Sequence, residues 1–299
     1  MHKKHLVWII PVSIVLLAVS GVCIWGACRG IFCKIQMPRW RKWLRSLHPS
    51  PARSSVHIIS LATPNYDVLA QYAVSSFARY AQQHGYSLEV YRDLLVTKGC
   101  RGPNIKNGAC PPHFSKIAMT IDAMLKWRGR CEYLVMTDSD AMVMDDRVTV
   151  DDIVSTSTQP TAAMHLSRDT LSINSIHMCN PETMFNTGFI VYDMRRTDVL
   201  LPMLHQWLSI AVEGDYYFKK KYYDQGAFQE MVDRGRIDPS VGELPAALYG
   251  TNISLVWRQA YGPGRSTIET KVEHFEGMWR KIGAPPIVSL PKRGIVRVV

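Results

Sequence analysis

The chain holds no internal repeat and no low-complexity tract, so it reads as one non-repetitive body rather than an array or a disordered tail. None of its seven Cys lies in a Cys-x-x-Cys pair, which removes the zinc and dithiol motifs built on that spacing. The net charge is +10, yet no nucleic-acid-binding motif accompanies it, and no nucleic-acid partner is expected. Charge is missing most completely from Leu6 to Cys28, where 23 consecutive residues hold no Asp, Glu, Lys or Arg. The chain carries only one Asp-x-Asp triplet, Asp138-Ser139-Asp140.

The uncharged run spans about 34 Å as a helix, enough to cross a bilayer. We read residues 1–5 as a short tail, 6–28 as a transmembrane anchor, 29–55 as a basic stem and 56–299 as one globular domain. A cleaved signal peptide ending near Ala18-Val19-Ser20 is the rival, but the run is long for one. Lys3 and Lys4 precede the span, whereas six Lys or Arg follow it by Arg45, and positive-inside counting alone would leave the large domain in the cytosol. A second basic group, Arg280, Lys281, Lys292, Arg293 and Arg297, lies near the other end. Cys100 and Cys110 bracket a Gly/Asn-rich loop and are placed to form a short disulfide, while Cys131 and Cys179 have no obvious partner. Asn252-Ile253-Ser254 is a glycosylation sequon, usable only in a secretory lumen.

The globular domain opens as a βαβ unit. Val56 to Leu61 is a continuous apolar strand, and Ala62-Thr63-Pro64-Asn65 is a turn. Tyr66 to His84 has helical spacing and is closed by Gly85, and Tyr86 to Tyr91 alternates as a second strand. A right-handed crossover with a parallel sheet is the default for such a unit. Helix Ser115 to Arg128 follows a Gly/Pro-rich loop, and then comes the strand Tyr133 to Thr137. A short helix is expected at Val150 to Ser155 and a strand at Thr161 to Leu166, followed by an unpatterned stretch, Ser167 to Met184. A strand at Thr187 to Tyr192 and helices at Val199 to Val212 and Asp224 to Val232 complete the pattern, which breaks into short pieces after Gly235.

Asp138-Ser139-Asp140 sits where its strand ends. Open α/β sheets bind ligands at that edge. Hard divalent cations take oxygen ligands and bridge carboxylates to phosphates, so the triplet reads as a seat for a metal and a sugar-nucleotide diphosphate. A solvated acidic turn is the plain alternative. Three later patches carry chemistry. In Asn186-Thr187-Gly188, the amide can bond sugar hydroxyls and the glycine admits a close approach; otherwise the patch is a turn entering an edge strand. Asp224-Gln225-Gly226 sets a carboxylate beside a carboxamide; otherwise Asp224 caps a helix. His274-Phe275-Glu276-Gly277 offers an imidazole that can complete a metal site, although a lone His is more often structural.

Taken in order, these patches resemble the retaining glycosyltransferase family of fungal α-galactosyl- and α-mannosyltransferases and plant xyloglucan xylosyltransferases. The resemblance covers roughly His57 to Lys281. It rests on His84-Gly85-Tyr86, Ser115-Lys116-Ile117, Thr137-Asp138-Ser139-Asp140-Ala141, Asn186-Thr187-Gly188, Asp224-Gln225 and His274-Phe275-x-Gly277. It implies a Rossmann-like GT-A fold behind a type II Golgi anchor, with Mn²⁺ or Mg²⁺ held by Asp138, Asp140 and His274. It implies a UDP- or GDP-sugar donor and a glycan acceptor, with Asp224 and Gln225 near the reacting carbon. Thr63, Lys116, Ser139 and Asn186 are candidate substrate contacts, as are Gly188, Gly277, Arg280 and Lys281. Tyr223 and Met278 depart from the family pattern, at positions that bear on the acceptor more than on the donor. Two other readings stand beside this one. One is an inverting GT-A enzyme, which needs a carboxylate general base that does not stand out. The other is a non-catalytic, membrane-anchored glycan-binding protein on the same fold.

Overall fold

Val56–Leu61 (β1) is buried at all six positions, four of them apolar, because both of its faces are covered. The computed structural model describes residues 55–100, 110–168, 185–213, 223–237, 241–249, 257–259, 276–280 and 290–298. All of them belong to one compact unit, Ser54–Val299. Val56 and Ile58 enter one apolar cluster, while Ile59 and Leu61 enter another. Tyr133–Asp138 (β3) divides the same way, with Tyr133 and Val135 in the first cluster and Leu134 and Met136 in the second. A strand packed on both sides loses the in-out alternation of a half-exposed one.

Helices supply the two covers. Asp67–His84 (α1) buries Leu69, Ala70, Ala73, Val74, Phe77, Tyr80 and Ala81, the stripe of a helix lying on a sheet. It stops at Gly85, whose φ of +68° is cheap only for glycine and whose N–H bonds the Ala81 carbonyl. Ser87–Tyr91 (β2) then pairs in parallel with β1, as the βαβ reading expects. Pro112–Trp127 (α2) begins on a proline, which loses nothing at a helix's first position. It starts three residues earlier than the expected Ser115. Val150–Ser155 (α3) lies where the sequence places it, held by a reciprocal Thr149/Asp152 capping box.

The remaining elements are Ala141–Val143 (β4), Met164–Arg168 (β5), Phe185–Asp193 (β6), Thr197–Glu213 (α4), Tyr223–Asp233 (α5), Val241–Leu244 (β7), Ala246–Tyr249 (α6), Trp257–Gln259 (β8) and Ile295–Val298 (β9). The main sheet runs β7-β5-β6-β3-β1-β2-β9. β1 lies parallel to both β2 and β3, as the βαβ opening expects, but the sheet as a whole is mixed, because β6 pairs antiparallel with both β3 and β5, and β9 pairs antiparallel with β2. β6 is an interior strand buried at all nine positions, so Asn186-Thr187-Gly188 is not a turn entering an edge strand. β5 begins at Met164 rather than Thr161, because the chain is still turning where Ala162 N–H bonds the Gln159 carbonyl.

Cys100 and Cys110 form a disulfide, and Cys131 is a buried free thiol. No helix among the described residues is long and apolar enough to cross a membrane. The expected anchor 6–28, the stem through residue 54, Cys179, Asn252, His274 and Lys281 lie outside the described residues.

Candidate active site

β3 ends at Asp138, and the chain turns through Ser139 and Asp140 into β4. The parallel register sets Leu61, the last residue of β1, beside Asp138. Against these strand ends lies a pocket of about 140 Å³, lined by Leu61, Thr63, Tyr66, Pro112, His113, Lys116, Asp138, Ser139 and Asp140. It occupies the sheet edge where α/β folds place ligands. Thr63, Lys116, Asp138, Ser139 and Asp140, all singled out by the sequence, thus meet at one pocket.

Lys116 reaches from α2 to the pocket floor and is 7% exposed. Its Nζ lies 2.8 Å from Asp138 Oδ1 and 2.8 Å from Asp224 Oδ2. It also donates to the Thr187 carbonyl at 3.3 Å. Thr187 Oγ1 donates to the same Asp224 Oδ2 at 2.8 Å. Asp224 therefore spends its carboxylate on Lys116 and Thr187, which overturns the plain helix-cap reading. The indole N–H of Trp207 on α4 donates to the Asp224 carbonyl at 2.8 Å and fixes the start of α5. Gln225 is buried beside it, and Asn186 Oδ1 accepts the Gly188 N–H at 2.6 Å.

Burial opposes the charge on Lys116, but Asp138 and Asp224 outweigh it and push the ammonium above its ordinary range. Burial pushes the Asp138 carboxyl up to about 6 against the pull of Lys116, and the carboxylates of Asp140 and Asp224 add to the rise. One ammonium thus serves a crowded set of carboxylates. Asp138 keeps 20% of its side chain open to solvent at the pocket.

The segment 276–280 docks near this turn. Met278, 2% exposed, packs with Leu69 of α1 and Met142 of β4. Tyr72 donates to Glu276 at 3.1 Å and meets Trp279 edge-on, with ring centroids 5.8 Å apart. Met142 is two residues past Asp140, so the Gly277 region is held beside the acidic turn. Arg280 is not drawn into the pocket: its side chain is 80% exposed and contacts Glu276 at 3.5 Å. Two other family-like positions are structural. His84 bonds the Asp146 carbonyl at 2.6 Å, and Ser115 Oγ bonds both the N–H and the carbonyl of Val96.

Sequence reasoning missed Leu61, Tyr66, Pro112 and His113 as lining residues. His113 was missed because the helix was expected to begin at Ser115; with its start at Pro112, His113 stands three residues before Lys116 and shares its helix face.

No protein-family profile matches the chain, and no curated protein sequence matches it. Solved structures do. A glycosyltransferase involved in the glycosylation of the major capsid of PBCV-1 superposes with a TM-score of 0.54 at 16% identity, over 75% of this chain and 99% of that one. The apo structure of the bifunctional glycosyltransferase WbbM superposes with a TM-score of 0.50 at 15% identity, over 80% of this chain and 51% of that one. At such identities the likeness is one of fold, and the mixed seven-stranded α/β architecture described here is the fold of these glycosyltransferases.

Proposed function

We propose that this protein is a metal-dependent retaining glycosyltransferase, moving a hexose or pentose from a nucleoside diphosphate sugar to a glycan. The observation that carries the reading is the Asp138-Ser139-Asp140 turn at the edge of β3, lining a pocket whose floor is Lys116 bridged to Asp224. The fold shared with known glycosyltransferases supports it.

The donor set suits Mn²⁺ or Mg²⁺. Asp138 and Asp140 offer only oxygen, and the raised Asp138 carboxyl is a group that an added cation would stabilise. The third ligand we assign is His274, on the strength of the family resemblance; it lies outside the described residues, among which no group of three His, Cys, Asp or Glu could hold a metal. A bound divalent cation supplies charge neutralisation for a diphosphate leaving group. The chain's own residues do the rest. Thr63, Ser139 and the walls of the pocket enclose the nucleotide. Lys116 holds positive charge at the junction of the acidic turn and Asp224. Asp224 and Gln225, fixed by Thr187 and Trp207, orient the sugar. Asn186 and Gly188 support the adjoining end of β6, Gly277 lies on the segment held beside the acidic turn, and Arg280, from its exposed position, or Lys281 is the cation we assign to the diphosphate. The family resemblance supports retention, and the departures at Tyr223 and Met278 leave the acceptor less defined by it than the donor.

The uncharged run at 6–28 supports a single-pass type II anchor in the Golgi membrane. The Cys100–Cys110 disulfide fits an oxidising lumen better than a reducing cytosol. The test is a screen of UDP- and GDP-sugars for hydrolysis with and without Mn²⁺, with product anomers read by NMR. A metal-dependent α-product from an α-donor supports the proposal. An inverted anomer points to the other class of GT-A enzyme, and turnover of no donor points to a glycan-binding protein.

A further inference from the structure

Arg92, the residue after β2, is one of the largest fully buried side chains and lies outside the pocket. Its guanidinium is shared by three acceptors. Nη1 donates to the Ala62 carbonyl, Nη2 pairs with the Asp67 carboxylate, and Nε donates to the Pro291 carbonyl at 2.8 Å. Ala62 and Asp67 are the two ends of one short turn. Between them lie Thr63 and Tyr66, which line the pocket. One planar cation therefore brackets the turn that forms a pocket wall, and only arginine presents a rigid fork of donors to several acceptors at once.

The third acceptor ties that wall to the far end of the chain. The Arg92 N–H bonds the Gly294 carbonyl at 2.9 Å, and the Gly294 N–H bonds Asp93 Oδ2 at 2.9 Å. Gly294 has a φ of +90°, which a side chain would strain. β9 then continues along β2, with Arg297 bonding Glu89 at 2.8 Å. The segment 290–298 is thus a strap across β2 that aims Arg92 at the turn.

We infer that Arg92 is a positioning residue for nucleotide binding, and that the C-terminal strap acts on the donor pocket through it. The inference rests on the donor reading of that pocket. Arg92 acts by fixing the wall of Thr63 and Tyr66, not by touching the nucleotide. A lysine at this site keeps the charge but presents its donors from a single nitrogen, which does not span acceptors spread around a guanidinium plane.

The test uses the full-length chain in detergent, with UDP and GDP plus Mn²⁺ as probes. Arg92→Lys is expected to raise the nucleotide Kd by about tenfold, and to speed hydrogen exchange of the Thr63, Asn65, Tyr66 and Asp67 amides while β1 and β3 stay protected. Asp93→Ala, which loosens the strap without touching Arg92, is expected to move both readouts the same way and by less. A wild-type Kd and wild-type exchange at the turn in Arg92→Lys overturn the inference, even where the melting temperature falls, because a merely structural role lowers stability without changing the affinity of folded protein. Unchanged exchange in Asp93→Ala overturns the part assigned to the strap. Should the unmodified chain bind neither UDP nor GDP, the donor reading fails and the claim about binding falls with it, while exchange at the turn still decides whether Arg92 positions that wall.

Discussion

Lys116 Nζ and Asp224 Oδ2 meet at 2.8 Å, joining α2 to α5 beneath the acidic turn. The same nitrogen holds Asp138 at the same distance, so one buried cation links the proposed metal carboxylate to the proposed sugar-orienting one. Removing it leaves two carboxylates crowded without compensation. Breaking a buried pair by deleting one partner costs about 3–5 kcal/mol. Lys116→Met is therefore expected to lower the melting temperature by about 10 °C for a domain of this size. Added Mn²⁺ is expected to recover part of that loss, since a cation at Asp138 replaces some of the missing charge. Scanning fluorimetry with and without Mn²⁺ checks this, and a melting temperature within about 2 °C of the parent protein would show that the bridge carries little energy.

Asp140 is the cleaner probe of the metal reading, because the Lys116 bridge runs through Asp138 and Asp224, whereas Asp140 lines the pocket beside it. Asp140→Ala is expected to abolish Mn²⁺-dependent binding of a nucleoside diphosphate and to leave the fold intact. Calorimetry with UDP and GDP is the measurement. An affinity equal to that of the unsubstituted chain removes Asp140 from the metal site.

A second buried polar group, away from the pocket, makes stability depend on pH. His57 is fully buried, stacked on Trp127 at 3.9 Å, with Nδ1 2.6 Å from Ser87 Oγ and Nε2 3.6 Å from Glu89. Lys126 and Arg297 both bond the other oxygen of that glutamate, Oε1. Burial lowers the His57 pKa to about 4, and it does the same for His165. The folded state thus refuses protons that the unfolded chain accepts below about 6.5. The stability that these neutral histidines contribute is full above that pH and declines as pH falls from about 6.5 toward 4, by at most about 3 kcal/mol for each, whereas the raised Asp138 carboxyl acts in the opposite direction. Urea midpoints measured between pH 7.5 and 5 are expected to drop, with a shallower slope in His57→Gln. Equal slopes in the two proteins would place the titration elsewhere.

The sequence showed the parts of this fold that local chemistry decides. α1 carries its own stop at Gly85, α3 its own capping box, and β3 its apolar run before an acid. The acidic turn was legible for the same reason. The antiparallel insertion of β6 between β3 and β5 was not, since strand order depends on contacts distant in sequence. Asp224 read equally well as a helix cap, because its partner Lys116 lies on another helix. Arg92 was not singled out. Nothing local signals that Ala62, Asp67 and Pro291 converge on it.

The orientation of the chain sets two sequence rules against each other. Six Lys or Arg follow the uncharged run by Arg45, which favours a cytosolic domain. The Cys100–Cys110 bond and the Asn252 sequon favour a lumen. In sealed microsomes the domain is expected to resist added protease and to become sensitive once detergent is present. Digestion without detergent would reverse the topology and favour the charge rule.

The reacting centre is tested at Asp224 and Gln225. Asp224 is 4% exposed and held by Lys116 and Thr187, while Gln225 is 9% exposed at the next position. If Gln225 orients the transition state, Gln225→Ala lowers turnover far more than it raises the donor KM. One positioned hydrogen bond at such a centre is worth about 3 kcal/mol, or about a hundredfold in rate. Asp224→Asn keeps the shape and can still accept from Thr187, but it removes the charge that faces Lys116. A structural role predicts a lower melting temperature with near-normal turnover in the folded fraction. A role in orienting the sugar predicts a loss of turnover beyond the loss of stability, together with a weaker response to Lys116→Met in the double variant, because both changes break the same link. Steady-state kinetics of the single and double variants beside their melting curves separates the two, and turnover like that of the parent in both single variants would move the reacting centre away from this pair.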